Sequence, residues 1–176
     1  VDSKHQYIIP FTGLSEGNHE FTFHIDKAFF LLFPESDLHD AQVEIQVYLT
    51  KATETLNLDI DLKGNVEVEC DRCLDLFNQE IEFHAKLNVE FGDENSDISE
   101  ADENIILSRK EIDLDLSRHF FDYINISLPI RRVHPKDQNG KSTCNKEMIK
   151  KLKELSVKKI DSEPDTRWDN LKPLMN

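Results

Sequence analysis

The chain has 176 residues, 38% of them hydrophobic and 32% charged; that is room for one full core but not for two ordinary enzyme domains. No run of about 18 apolar residues occurs, which excludes a helical membrane span. A formal net charge of −14 argues against indiscriminate binding to nucleic acid, yet the charge is unevenly placed: residues 1–129 hold 9 Lys and Arg against 28 Asp and Glu, whereas residues 130–160 hold 10 against 3.

In chain order, Tyr7, Ile9 and Phe11 alternate, Gly13 to Asn18 supplies turn residues, and Phe21, Phe23 and Ile25 alternate again, predicting an opening hairpin or two neighbouring strands. Asp26 is placed to cap a short apolar helix through Phe33, which Pro34 stops. Period-two alternation is strongest in Val43–Leu49, Leu56–Leu62, Val66–Cys70 and Ile81–Val89, predicting four consecutive antiparallel strands across 41–91, with Lys63-Gly64-Asn65 as punctuation. Gly92–Asn104 is acidic and almost devoid of apolar side chains, so a mobile acidic loop is expected over 92–104; its glycine comes first, unlike a calcium loop. Ile105–Leu107 is a short strand candidate. Ile112, Leu116, Phe120, Ile124 and Leu128 recur every four residues, predicting a helix on the sheet that Pro129 ends. Ile130–Thr143 contains Pro135 and Gly140 and reads as a loop. Asn145 then caps a helix to about Leu155 with Met148, Ile149, Leu152 and Leu155 inward, and Trp168 and Leu171 dock a short terminal turn. The sum is one α+β domain over 1–176, an antiparallel sheet or incomplete barrel with a helical C-terminal third and a helical basic subregion over 112–160.

Cys70 and Cys73 carry the spacing of a metal knuckle, in which two intervening residues let both thiolates reach one tetrahedral zinc. The same spacing serves thiol–disulfide exchange, but that chemistry places the motif at a helix start, and here it joins two strands. For the other half of a zinc site the chain offers Cys144 and His134, with His84 the weaker alternative. A Cys3His site of Cys70, Cys73, His134 and Cys144 would staple the basic segment to the acidic sheet. In the simpler reading Cys70 is core, Cys73 a turn residue and Cys144 incidental. Three cysteines are too few for a disulfide framework, which with the absence of a secretory signal predicts a cytoplasmic protein. No nucleophile elbow, phosphate-binding glycine loop or His-Glu-x-x-His helix is present, so no enzyme is expected.

The basic segment opens with Arg131 and Arg132 after Pro129. On the following helix Lys146, Lys150 and Lys153 share a face, with Lys151 near its margin. Arg72, in the cysteine turn, either meets phosphate or an unpaired base with its planar fork or bridges to Glu69 or Asp75.

Cys70-Asp71-Arg72-Cys73-Leu74, preceded by Val66 and Val68 and followed by Phe77, resembles the signature of the YceD family of large ribosomal RNA subunit accumulation proteins. The resemblance continues in Ile112-Asp113-Leu114, Ile126-Ser127-Leu128-Pro129, Cys144-Asn145 and Asp165-Thr166-Arg167-Trp168, spanning about residues 60–172. It implies a non-catalytic factor supporting large-subunit ribosomal RNA accumulation or ribosome assembly, through ribosomal RNA or a precursor particle. Arg72, Arg131, Arg132, Lys146, Lys150, Lys151 and Lys153 are then the RNA-binding candidates. The alternative is a protein-interaction module that holds a basic ribosomal protein or assembly factor on its acidic sheet. Many members of the family carry a further cysteine cluster after the Leu-Pro element; here Cys144 stands alone with His134 nearby, so a zinc centre would have to be Cys3His.

Overall fold

The computed structural model describes residues 6–38, 40–92 and 104–156. Strands β1 (Ile8–Ile9), β2 (Gly17–Ile25), β3 (Ala41–Lys51), β4 (Thr55–Glu69), β5 (Leu76–Gly92), β6 (Asn104–Ser108) and β7 (Leu114–Asp115) are joined by helices α1 (Lys27–Phe30), α2 (Ser117–Ser127) and α3 (Lys146–Leu155). Five strands form one open sheet in the order β2-β3-β4-β5-β6, antiparallel except for the β5–β6 pair, which is parallel. The edge strands β2 and β6 do not pair with each other, so the sheet is unclosed.

The expected fourth strand across 41–91 is absent because Leu56–Leu62 and Val66–Val68 belong to one strand of 15 residues that runs straight through Gly64. Alternation is unbroken there: Leu56, Leu58, Ile60, Leu62, Val66 and Val68 are all buried on one face. Gly64 is required by closeness, since a Cβ on it would lie 2.1 Å from the Gln42 carbonyl oxygen and 2.6 Å from Val43 Cα. A glycine in a strand interior has two physical meanings, a break or a close backbone approach, and this one is the second.

The opening segment also pairs differently from expectation. β1 does not form a hairpin with β2; it pairs with β7 in a separate two-stranded ribbon, and Leu116 N–H donates to the Tyr7 carbonyl at 3.0 Å. Because Leu114 is committed to β7, α2 starts at Ser117 rather than Ile112, and Ile112 is exposed. Asp26 does cap α1, accepting from Ala28 N–H at 2.8 Å, but α1 ends at Phe30.

Aromatic rings lock these pieces over the buried sheet face. Tyr7 meets Phe29 edge-on at 4.9 Å, Phe23 meets Phe120 at 5.2 Å, and Phe33 stacks on Phe121 at 4.2 Å. Each such side chain contributes roughly 1.5–3 kcal/mol by leaving water. Burial pushes the Tyr7 hydroxyl pKa up to about 12, reinforced by the charge of Asp26, so Tyr7 is neutral at any ordinary pH. Residues 93–103 and 157–176, which include most of the acidic stretch and the Trp168 region, lie outside the described residues.

Candidate metal centre and nucleic-acid interface

β4 and β5 are longer than their neighbour. β3 begins at Ala41 opposite Val66, and just before it the Asp40 carbonyl accepts from Glu67 N–H at 3.0 Å, so Val68 and Glu69 pair only with Phe77 and Leu76. The β4–β5 hairpin therefore projects beyond β3, and Cys70–Asp75 forms its tip. Leu74 N–H donates to the Cys70 carbonyl at 2.9 Å and Cys70 N–H to the Asp75 carbonyl at 3.0 Å, which turns both thiols to the same side.

The segment after Pro129 is fastened to this tip. Asp71 N–H donates to the Arg132 carbonyl at 2.8 Å, and Arg132 N–H returns a bond to the Asp71 carboxylate at 2.6 Å. Beyond it, residues 135–143 fold back on themselves: Lys136 bridges Ser142, Thr143 Oγ1 donates to the Pro135 carbonyl at 2.7 Å, and the Asp137 carboxylate accepts from Asn139 and Lys141. That return brings Cys144 to the level of His134.

The result is a cluster in which one ligand atom each of Cys70, Cys73, His134 and Cys144 lies within 4.8 Å of all the others. Cys70 Sγ is 3.9 Å from Cys144 Sγ, and Cys73 Sγ is 3.4 Å from His134 Nδ1. Zinc bound tetrahedrally at its usual bond lengths has edges of about 3.8 Å between sulfurs and about 3.6 Å between sulfur and nitrogen, so these separations fit. They do not fit a disulfide, whose sulfurs are about 2.05 Å apart; all three cysteines are free.

The surroundings favour the thiolate at Cys70 and oppose it at Cys73. Burial pushes the Cys70 thiol up, but backbone N–H groups of Arg72, His134 and Cys73, with the His134 imidazole, outweigh it and bring the pKa down to about 6. Cys73 is held up by burial and by neighbouring Cys70, against donors at Asp75 and Asn145. N–H groups aimed at sulfur stabilise the form that binds metal. All three thiols are buried and the imidazole is half-buried against Phe77 at 4.7 Å between ring centres. Four protein donors in a shielded place are the pattern of a closed, structural zinc site, which holds chain segments together and leaves no position for substrate. His84 is elsewhere, on the solvent face of the sheet, 2.7 Å from the Asp61 carboxylate.

The basic candidates gather around this centre without belonging to it. Arg72 lies in the turn, half-buried, and forms no ion pair with Glu69, Asp75 or any other carboxylate among the described residues. Arg131 is exposed beside the clamped Arg132. α3 is capped by Asn145, whose side-chain oxygen accepts from Glu147 N–H at 3.0 Å. Its Met148 and Ile149 lie half-buried against the cysteines, but Leu152 and Leu155, expected inward, are 52% and 85% exposed. Lys150 approaches Glu154 at 3.9 Å; Lys146, Lys151 and Lys153 have no ion-pair partner among the described residues. Sequence reasoning missed the Asp71–Arg132 clamp and the N–H donors to sulfur, for which nothing in residue order is a signal.

Fold and site together define an α+β protein whose projecting hairpin carries a Cys3His cluster of the kind that holds a structural zinc. The family model described as Large ribosomal RNA subunit accumulation protein YceD matches residues 58–175, more than half of the chain and all four candidate ligands, and the chain belongs to this family. The family's role is a non-catalytic one in large-subunit ribosomal RNA accumulation. No curated protein and no solved structure matches the chain. Among the described residues, no helix is long and apolar enough to cross a membrane.

Proposed function

We propose that the protein supports large-subunit ribosomal RNA accumulation by binding ribosomal RNA or a precursor particle in the cytoplasm, through the basic segment that the metal centre holds at the hairpin tip. The observation that carries this reading is the convergence of Arg72, Arg131, Arg132 and Lys146, Lys150 and Lys153 of α3 on one small structural unit, with Lys146 and Lys153 lacking an ion-pair partner among the described residues. Cations on a frame of this kind meet phosphates with affinity that falls steeply as salt rises, while the acidic body discourages indiscriminate binding. Binding of large-subunit ribosomal RNA fragments at two salt concentrations tests it. Arg131→Glu/Arg132→Glu should weaken binding about tenfold or more at low salt and flatten the salt dependence; equal binding by parent and variant rejects the interface.

A second reading rests on the other face of the molecule. The solvent side of the sheet presents Glu20, Glu44, Asp59, Asp61, Glu67, Glu69, Glu80, Glu82 and Glu90 against only Lys63 and Lys86. A basic ribosomal protein or assembly factor fits that charge. Co-purification that survives nuclease and is lost in Glu80→Lys/Glu82→Lys supports this partner.

A further inference from the structure

Between α3 and the metal centre runs a groove of about 240 Å³ lined by Ser142, Cys144, Lys146, Ile149, Lys150 and Lys153. At 100° per residue, Lys153, Lys146 and Lys150 occupy a narrow arc of the helix beside Ile149. Lys151 lies on a different arc, and Glu147 and Glu154 fall between the two. The helix therefore sorts its lysines into three that face a cleft and one that faces away.

The cleft has the chemistry of an anion site. Ile149 supplies an apolar wall, which strengthens charge interactions beside it. Ser142 Oγ accepts from Cys144 N–H at 3.3 Å, leaving its own proton to donate outward. Among the described residues the one ion-pair rival for the lysines is Glu154, 3.9 Å from Lys150 with both side chains largely exposed, a pair of little energetic consequence.

We propose that this groove is a phosphodiester subsite, in which Lys146, Lys150, Lys153 and the Ser142 hydroxyl hold the backbone of a bound RNA, and that Lys151 takes no part. This deepens the RNA reading above and rests on it. Three point charges without a planar fork or an aromatic platform read phosphate rather than bases, so the groove contributes affinity and position but not sequence preference. Its rival is that the three lysines merely balance the negative charge of a metal held by three thiolates.

The experiment compares the full chain, Lys146→Gln/Lys150→Gln/Lys153→Gln and Lys151→Gln for binding to structured large-subunit ribosomal RNA fragments over a range of salt, with metal content measured on the same samples. Glutamine keeps helix propensity while removing charge. The triple variant is expected to lose about tenfold or more in affinity at low salt, with the slope of log K on log salt reduced by about two to three. Lys151→Gln should stay within twofold of the parent. Equal binding by the triple variant and Lys151→Gln overturns the groove while leaving the RNA reading intact, and a fall in metal content alone assigns the lysines to the centre. A parent chain that does not bind removes both readings. Should the triple variant lose metal and RNA together, Lys153→Gln, farthest along the helix from Cys144, decides: the slope falls by about 0.7–0.9 with metal retained, or the proposal fails.

Discussion

The sheet and the hairpin tip are held together by different physics. The sheet's core draws on three strands of 11, 15 and 17 residues, each with one buried row, and on a layer of aromatic rings from α1, α2 and the N-terminal segment. The tip has a separate core of Cys70, Cys73 and Cys144, bordered among the described residues by half-buried Phe77, Val133, Met148 and Ile149. α3 contains no fully buried residue. Ordering the backbone costs about 1–2 kcal/mol per residue, which a few half-buried side chains cannot offset over a segment the length of 130–155. A structural zinc site there would supply roughly 10–16 kcal/mol at neutral pH, a substantial share of that cost. The lesson is that one chain can combine a core built by burial with a small cluster of metal-ligand type, and here the cations sit beside the second.

The largest test of that contrast is to remove the ligands. Cys70→Ser/Cys73→Ser, or a strong chelator, should abolish tight metal binding, to below about 0.1 zinc per chain against about one in the parent. Amide protection should vanish across 130–155 and the α3 helix signal with it, while β3, β4 and the core-facing part of β5 stay protected. If protection in the strands collapses with that of α3, the two regions share one cooperative unit and the contrast is wrong.

The complementary test strikes the sheet and spares the tip. Gly64→Ala places a methyl against the backbone of Gln42 and Val43, where neither partner has a flexible end to move. A destabilisation of about 3 kcal/mol or more is expected, the upper end for overpacking. Chemical denaturation followed by sheet signal should show it, whereas metal affinity below the transition should change less than threefold. A variant as stable as the parent means that β3 and β4 do not approach as closely as described.

How far residue order foretold these regions follows from what each is made of. Alternation of apolar and polar residues is local, so Val43–Leu49, Leu56–Leu62 and Ile81–Val89 were legible, as were the Asp26 and Asn145 caps. Gly64 was misread as punctuation because its role depends on Gln42, a contact made across strands. The pairing of β1 with β7 joins residues about one hundred positions apart, and it moved the start of α2; the fourfold spacing of Ile112 with Leu116 gave no sign of it. The four metal candidates were legible as residue types at suggestive spacing. What closes them into a cluster, the Asp71–Arg132 clamp and the return of 135–143 on Asp137, consists of backbone hydrogen bonds that carry no residue signature.

The smallest effect is the most local. Leu74 has φ of 63°, in the left-handed region, and its side chain is 58% exposed. A leucine there costs about 1–2 kcal/mol that glycine does not incur, offset by the roughly 0.5–1 kcal/mol that glycine adds in unfolded-state entropy. Little burial is lost with the side chain. Leu74→Gly should therefore leave the sheet's denaturation midpoint unchanged and tighten metal binding by up to about fivefold, the equivalent of about 1 kcal/mol, measured by competition with a chelator of known affinity. Metal binding weakened more than twofold would mean that the leucine shields the centre more than its backbone strains it. A shift of the sheet's midpoint instead would show that strain at the tip is transmitted along β4 and β5, and the division between the region held by burial and the region held by ligation would have to be redrawn closer to Val66.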